Sequence, residues 1–181
     1  MRHRLMIGSI ALLALHLTAR PAHGAPALAL ERARAPEFRA RTVTGEALSL
    51  AKLLERGPVL LDFWATWCRP CLAELPELEA IGRKYRASGL TVVGVSEDGP
   101  RNFARVRPFA SKLGLTFPIV LDEDGRIQQL YQVGALPTTV LIDTAGMVVT
   151  VREGYRPGES RELEAAVAKL LAPPASEAAP R

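Results

Sequence analysis

The clearest pattern in the chain is a near-continuous apolar run, Val59, Leu60, Leu61, Phe63 and Trp64, interrupted only by Asp62 and preceded by the turn pair Gly57-Pro58. Such a run predicts a strand buried on both faces. The period then changes. Leu72, Leu75, Leu78, Ile81 and Tyr85 recur at helical spacing, predicting a helix over 69–87 that Ser88-Gly89 closes. The alternation continues with a strand over 90–95, a helix over 100–113 ending at Gly114 and a strand over 117–121. A turn over 122–125, a short helix over 127–131 and a strand over 138–142 follow. A hairpin turn at Thr144-Ala145-Gly146 leads into 147–152, and an amphipathic helix covers 158–171. Upstream, Phe38, Ala40 and Thr42 alternate with polar neighbours around Thr44-Gly45-Glu46, predicting a small hairpin over 37–50, and Ser49 is placed to cap a helix over 50–54. Strands alternating with helices predict an α/β fold. Its mainly parallel sheet is covered by helices on both faces, and the late hairpin adds an antiparallel edge.

The ends read differently. Met1-Arg2-His3-Arg4 is a charged start, residues 5–17 are mostly apolar, and Ala22-His23-Gly24 offers a small-x-small cleavage site. The apolar stretch is shorter than the ~20 residues that span a bilayer, so residues 1–24 are expected to be a signal peptide, with an uncleaved N-terminal anchor as the alternative. Residues 25–36, rich in Ala and Pro, read as a linker, and the Pro- and Ala-rich residues 172–181 as a disordered tail. One domain over 37–171 remains, without internal repeats. Its hydrophobic content, 48% over the whole chain, excludes wholesale disorder. The formal net charge of +4 owes much to the leader. Arg2, Arg4 and Arg20 lie there with no acid, leaving 20 basic against 19 acidic residues elsewhere, and no basic patch points to nucleic acid. Arg101, Arg105, Arg107 and Lys112 read as a solvated helix face.

The two cysteines sharpen the picture. Cys68 and Cys71 directly follow the buried strand and open the next helix. A bridge between residues three apart constrains the unfolded chain little, which makes the pair a poor structural staple. A zinc site needs further ligands, and all three histidines (His3, His16, His23) fall in the leader. At a strand-to-helix junction Cys68 meets the free N–H groups and dipole of the helix start, which favour the thiolate that attacks disulfides. Cys71 lies one turn deeper, placed to resolve the mixed disulfide. Pro70 fits the first turn, and Arg69 adds positive charge beside the sulfurs.

The segment Asp62-Phe63-Trp64-Ala65-Thr66-Trp67-Cys68-Arg69-Pro70-Cys71 resembles the active-site segment of thioredoxins, and still more that of the exported TlpA/ResA family. In register with it, Pro76 matches the proline that kinks the family's first helix, and Glu74 an acid of the ResA-like group. Leu136-Pro137-Thr138-Thr139 matches the loop whose proline is cis, and residues 96–121 match the helix and strand this branch inserts. The resemblance spans about 36–171. It implies a thioredoxin-like fold with a central mixed sheet, an N-terminal hairpin and an inserted helix–strand. It also implies that Leu136 offers its backbone to a substrate strand beside Pro137. Trp67, next to Cys68, reads as part of a substrate-facing rim or as simple packing, and Trp64 as core.

Asp62 and Glu74 are the remaining candidates. A carboxyl in an apolar strand has a raised pKa and can take the Cys71 proton, but Asp62 is equally read as a hydrogen-bonded structural acid. Thioredoxin has an aspartate there, whereas exported relatives more often have an amide. Glu74 can do the same work from the helix, or lie on a solvated face. The function expected is a periplasmic dithiol reductase of exported proteins such as apocytochrome c or copper-site assembly factors. It would be a monomer, fed by a membrane electron donor, and need no cofactor or metal. A disulfide oxidase or isomerase is the alternative. The Pro-x-x-x-Thr-x-x-Cys pattern of a peroxiredoxin and the Cys-x-x-x-Cys spacing of a copper metallochaperone are both absent.

Overall fold

The apolar run over 59–64 lies at the centre of the sheet. In a computed structural model of the chain, residues 30–172 are described, so the leader and all but the first residue of the expected tail lie outside them. The elements in order are β1 (Arg39–Arg41), β2 (Ala47–Ser49), α1 (Leu50–Leu54), β3 (Val59–Trp64), α2 (Arg69–Tyr85), β4 (Thr91–Ser96), α3 (Phe103–Lys112), β5 (Ile119–Leu121), α4 (Arg126–Leu130), β6 (Thr138–Ile142), β7 (Val148–Glu153) and α5 (Ser160–Leu171). β1 and β2 form a separate antiparallel hairpin, and the main sheet has the order β5-β4-β3-β6-β7.

Every residue of β3 is buried, as a strand with helices on both faces must be. Val59, Leu61 and Phe63 join Leu50 and Leu53 of α1 and Ile127 of α4 in one core. Leu60 and Trp64 join Cys71, Leu75 and Leu78 of α2, Val106 of α3 and Leu163 of α5 in the other. The period-two geometry of β3 therefore feeds two cores from one strand.

The sheet is more evenly mixed than the sequence pattern predicts. β3–β4 and β4–β5 are parallel, whereas β3–β6 and β6–β7 are antiparallel. The reason lies in the connection. A parallel crossover needs an element long enough to return the chain to the far end of the sheet. The link after β5 holds only the five-residue α4, so β6 starts at the end where β3 finishes. That reversal brings the segment before Thr138 beside the segment after Trp64, where the cysteines are.

The segment expected to be a loose linker over 25–36 is docked over its described part. Arg32 N–H donates to Val148 O at 2.8 Å, Val148 N–H to Ala33 O at 2.9 Å and Ala35 N–H to Gly146 O at 2.8 Å, while Leu30 and Ala35 are buried. The free edge of β7 supplies the unpaired groups that bind it. At the opposite edge Val43 N–H donates to Ile119 O at 2.8 Å, so the β1–β2 hairpin covers β5.

Helix α2 stops at Tyr85. A 3₁₀ turn over Arg86–Ser88 follows, ended by Gly89 at φ 103°. Glu79 pins α2 to the inserted segment. Its carboxylate pairs with Arg83 Nε at 2.5 Å and accepts Thr116 N–H at 2.8 Å. Pro76 lies inside α2, where it removes one backbone bond to the carbonyl four residues back.

Candidate active site

Cys68 is the N-cap of α2 and Cys71 lies in its first turn, so one local rule, the strand-to-helix junction, sets both sulfurs. They are joined as a disulfide with Cα atoms 5.3 Å apart, and Cys68 Sγ accepts the Cys71 N–H at 3.3 Å. Pro70, inside the first turn, forfeits an N–H that has no helical partner anyway. Both cysteines are buried, Cys71 (1% exposed) more deeply than Cys68 (5%). Arg69 and Pro70 are exposed, and Trp67 is 64% exposed, by far the most exposed large apolar residue among those described. An indole so placed is a rim, not a core. Trp64, by contrast, is fully buried.

The junction loop is anchored by a residue that the sequence pattern does not single out. Asp98, just past β4, accepts Thr66 N–H at 2.9 Å, Thr66 Oγ1–H at 2.5 Å and Ser96 Oγ–H at 3.0 Å. Three bonds to one buried carboxylate hold the turn between Trp64 and Cys68. Its neighbour Glu97 is pushed up to about 8 by burial, with the charges of Asp122 and Asp98 adding to the effect.

The segment Leu136-Pro137 closes the other side, and its peptide bond is cis. Pro137 is buried and its carbonyl accepts Gly154 N–H at 2.7 Å, while Thr138 Oγ1–H donates to Ala135 O at 2.8 Å. The Leu136 N–H and C=O make no backbone hydrogen bond among the described residues. A half-buried residue with an unpaired amide and carbonyl can accept an extended chain by main-chain pairing.

Beneath α2 lies a row of polar residues. Asp62 on β3 is paired in register with Gly94 on β4 and Thr139 on β6, and Thr139 with Arg152 on β7. Direct cross-strand partners share a face, and this is the face that α2 covers. Gly94 leaves room there, since a Cβ would lie 2.9 Å from Trp64 Nε1. Asp62 (1% exposed) and Thr139 (2%) are buried, and neither Asp62 Oδ1 nor Thr139 Oγ1 has a hydrogen-bond partner among the described residues. Burial pushes the Asp62 carboxyl well above the usual carboxylate range, and the charge of Glu74 pushes it further. Asp62 Oδ1 is thus left without the hydrogen bond that a structural acid would be expected to make.

Glu74 is buried as well, contrary to a solvated helix face, and its Oε2 is unpartnered. Burial pushes its pKa up to about 7. Arg152 opposes that rise, and the charges of Glu77 and Glu159 reinforce it. Sequence periodicity misses Arg152, Glu77 and Glu159 because only the β6–β7 register and the packing of α2 bring them together. The arrangement therefore holds a disulfide at a helix start, an unpaired backbone beside it, and two protonatable carboxyls, one on the buried face of the same helix and one on the strand beneath it. That set can exchange electrons with another disulfide and store a proton next to the sulfurs. Among the described residues no group of three or more His, Cys, Asp or Glu gathers as a metal would need, and no helix is long and apolar enough to cross a membrane.

The AhpC/TSA family model matches residues 32–151. The chain is 39% identical over 125 residues to the thioredoxin-like protein YneN of Bacillus subtilis, covering 68% of this chain and 72% of the relative. It is 37% identical over 128 residues to the thiol–disulfide oxidoreductase ResA of Geobacillus kaustophilus, covering 71% and 72%. Among solved structures it resembles a secreted Mycobacterium tuberculosis disulfide oxidoreductase homologous to E. coli DsbE, at TM-score 0.63 and 30% identity over 74% of this chain and 96% of the other.

Proposed function

The chain belongs to the thioredoxin-like AhpC/TSA family as a ResA-like thiol–disulfide oxidoreductase, and we propose that it is an exported reductase of disulfides in other exported proteins. Apocytochrome c before haem attachment and copper-site assembly factors are the substrates this reading favours, with electrons returned by a membrane donor. Export rests on residues 1–24, and the periplasm is the compartment that fits.

The observation that carries the direction of electron flow is the acidic floor of the site. A stabilised thiolate makes a Cys-x-x-Cys pair oxidising, because it stabilises the reduced form. Asp62 lies beneath the helix that bears the cysteines and Glu74 on its buried face, and the negative charge Glu74 takes on as pH rises through about 7 disfavours a thiolate, while Arg69 projects into solvent. Its effect there is screened.

The proposed reaction runs from the dithiol form. Cys68 thiolate attacks a substrate disulfide, forming a Cys68–substrate bond and releasing one substrate thiolate. The carboxylate of the Asp62/Glu74 pair takes the proton of Cys71. Cys71 then attacks Cys68 Sγ, forming the Cys68–Cys71 disulfide and releasing the second substrate thiolate. Two electrons pass to the substrate, whose two thiolates are protonated. Trp67 and Pro70 line the approach, and Leu136 and Pro137 hold the substrate backbone.

Cys71→Ser in a periplasm tests this reading, since the variant cannot resolve its mixed disulfide. Covalent capture of apocytochrome or copper-assembly proteins is the expected outcome. Capture of a broad set of newly secreted proteins would identify an oxidase or isomerase instead.

A further inference from the structure

The row beneath α2 ends in a cation. Arg152 faces Thr139 across β6–β7, and Thr139 faces Asp62 across β3–β6. Its guanidinium does not swing freely. Nη1 donates to the Glu159 carbonyl and Nη2 pairs with the Glu159 carboxylate at 3.2 Å, leaving the side chain 19% exposed. Arg156 holds the other oxygen of that carboxylate at 3.0 Å. On the helix side, Glu77 Oε1 accepts the Tyr155 hydroxyl at 2.7 Å, while its Oε2 and Glu74 Oε2 are buried without partners. Four of the buried side-chain oxygens without partners, on Asp62, Thr139, Glu74 and Glu77, belong to this cluster. The charges acting on Glu74 are one cation, Arg152, against the anions Glu77 and Glu159.

We propose that Arg152 is a positioning residue for thiol–disulfide exchange: clamped by Glu159 at the end of the Asp62–Thr139 row, it keeps Glu74 as the carboxylate that takes the Cys71 proton. Four carboxyls, on Asp62, Glu74, Glu77 and Glu159, share this space, and Arg152 is the cation whose charge acts on Glu74. Without that charge, Glu74 would hold its own proton to higher pH and cease to be a base near neutrality. The bland alternative is an ion pair that only staples β7 to the start of α5. A staple affects stability, whereas a positioning charge moves the pH at which the resolving step switches on.

The inference rests on the reading of Asp62 and Glu74 as the proton-accepting pair, and the experiment separates the two. Reduced full-length protein is mixed with 5,5′-dithiobis(2-nitrobenzoate). Attack by Cys68 releases one thionitrobenzoate and attack by Cys71 on the mixed disulfide releases a second, and the rate of the second release is followed from pH 5 to 9. In Arg152→Gln and Arg152→Met the acid limb is expected to move up by about one pH unit, a loss of about tenfold below the limb. Arg152→Lys restores it. Glu77→Gln removes an anion acting on Glu74 without touching the Arg152 clamp and moves the limb the other way, which keeps the test open if the neutral variants fold poorly. A lowered Tm with an unmoved limb in Arg152→Gln and Arg152→Met, or an upward or absent shift in Glu77→Gln, would overturn the proposal. An unmoved limb in Glu74→Gln would instead overturn the proton-accepting pair itself.

Discussion

Replacing Cys68 with Ser is expected to abolish disulfide reduction, by roughly a thousandfold or more, as removal of an essential nucleophile does. The Cys68 sulfur sits at the N-cap of α2, where it already accepts the Cys71 N–H, and it lies next to the exposed Trp67, the approach proposed for a substrate. Cys71 is deeper and faces the core with Leu75 and Leu78. Cys71→Ser loses multiple turnover to a similar degree, but for a different reason. It still attacks once and stops as a stoichiometric mixed disulfide. Single-turnover kinetics with mass spectrometry distinguishes the two. Cys68→Ser should give no adduct and Cys71→Ser one equivalent. The reverse pattern would exchange the roles.

The double substitution Asp62→Asn with Glu74→Gln carries the second largest effect. General-base assistance contributes about 10²- to 10⁴-fold, so resolution of the mixed disulfide at pH 7 should slow by about a hundredfold. The sign with pH follows from the raised pKa values. Glu74, pushed up to about 7, works as a base only when ionised, so the native rate rises as pH passes through that value. In the double variant this limb vanishes, leaving only the ionisation of the thiol itself, ordinarily near pH 8.5. Stability moves oppositely. A carboxyl whose folded pKa is raised binds more protons in the folded than in the unfolded state over the interval between the two values. Its contribution is fully present below the unfolded pKa and is lost as pH rises through the folded one. The native protein should therefore lose more stability from about pH 4 to about 7 than the double variant, in which Glu97 still carries a raised pKa. Thermal melts across this range check it, and a native Tm that rises through the window would contradict the burial of two uncompensated acids.

Much of this was legible in the sequence because it is local. The all-apolar β3, the 3.6 period of α2, Ser49 as the α1 cap and the placement of Cys68 at a helix start each depend on a few adjacent residues. What escaped depends on register and on edges. The antiparallel direction of β6 follows from the shortness of α4, whose consequence appears only once the strands are assembled. The docking of residues 30–35 needs the free edge of β7, which no feature of an Ala- and Pro-rich stretch announces. Asp98 and Arg152 look like ordinary charged residues in a strand end and an edge strand. They enter the site because β4 ends beside Thr66 and β7 pairs with β6. For Glu74 the sequence supports two readings, since Leu72, Leu75 and Leu78 define an apolar stripe on α2 but do not say how far the sheet extends beneath it.

The direction of electron flow is tested most directly by the reduction potential of the Cys68–Cys71 pair. It is obtained by equilibrating the protein in glutathione buffers at pH 7 and quantifying the oxidised fraction. Acid-rich surroundings that withhold stabilisation from the thiolate predict a reducing pair, at or below about −240 mV and near the thioredoxin range. A value near −120 mV, where strongly oxidising pairs lie, would contradict a reductase.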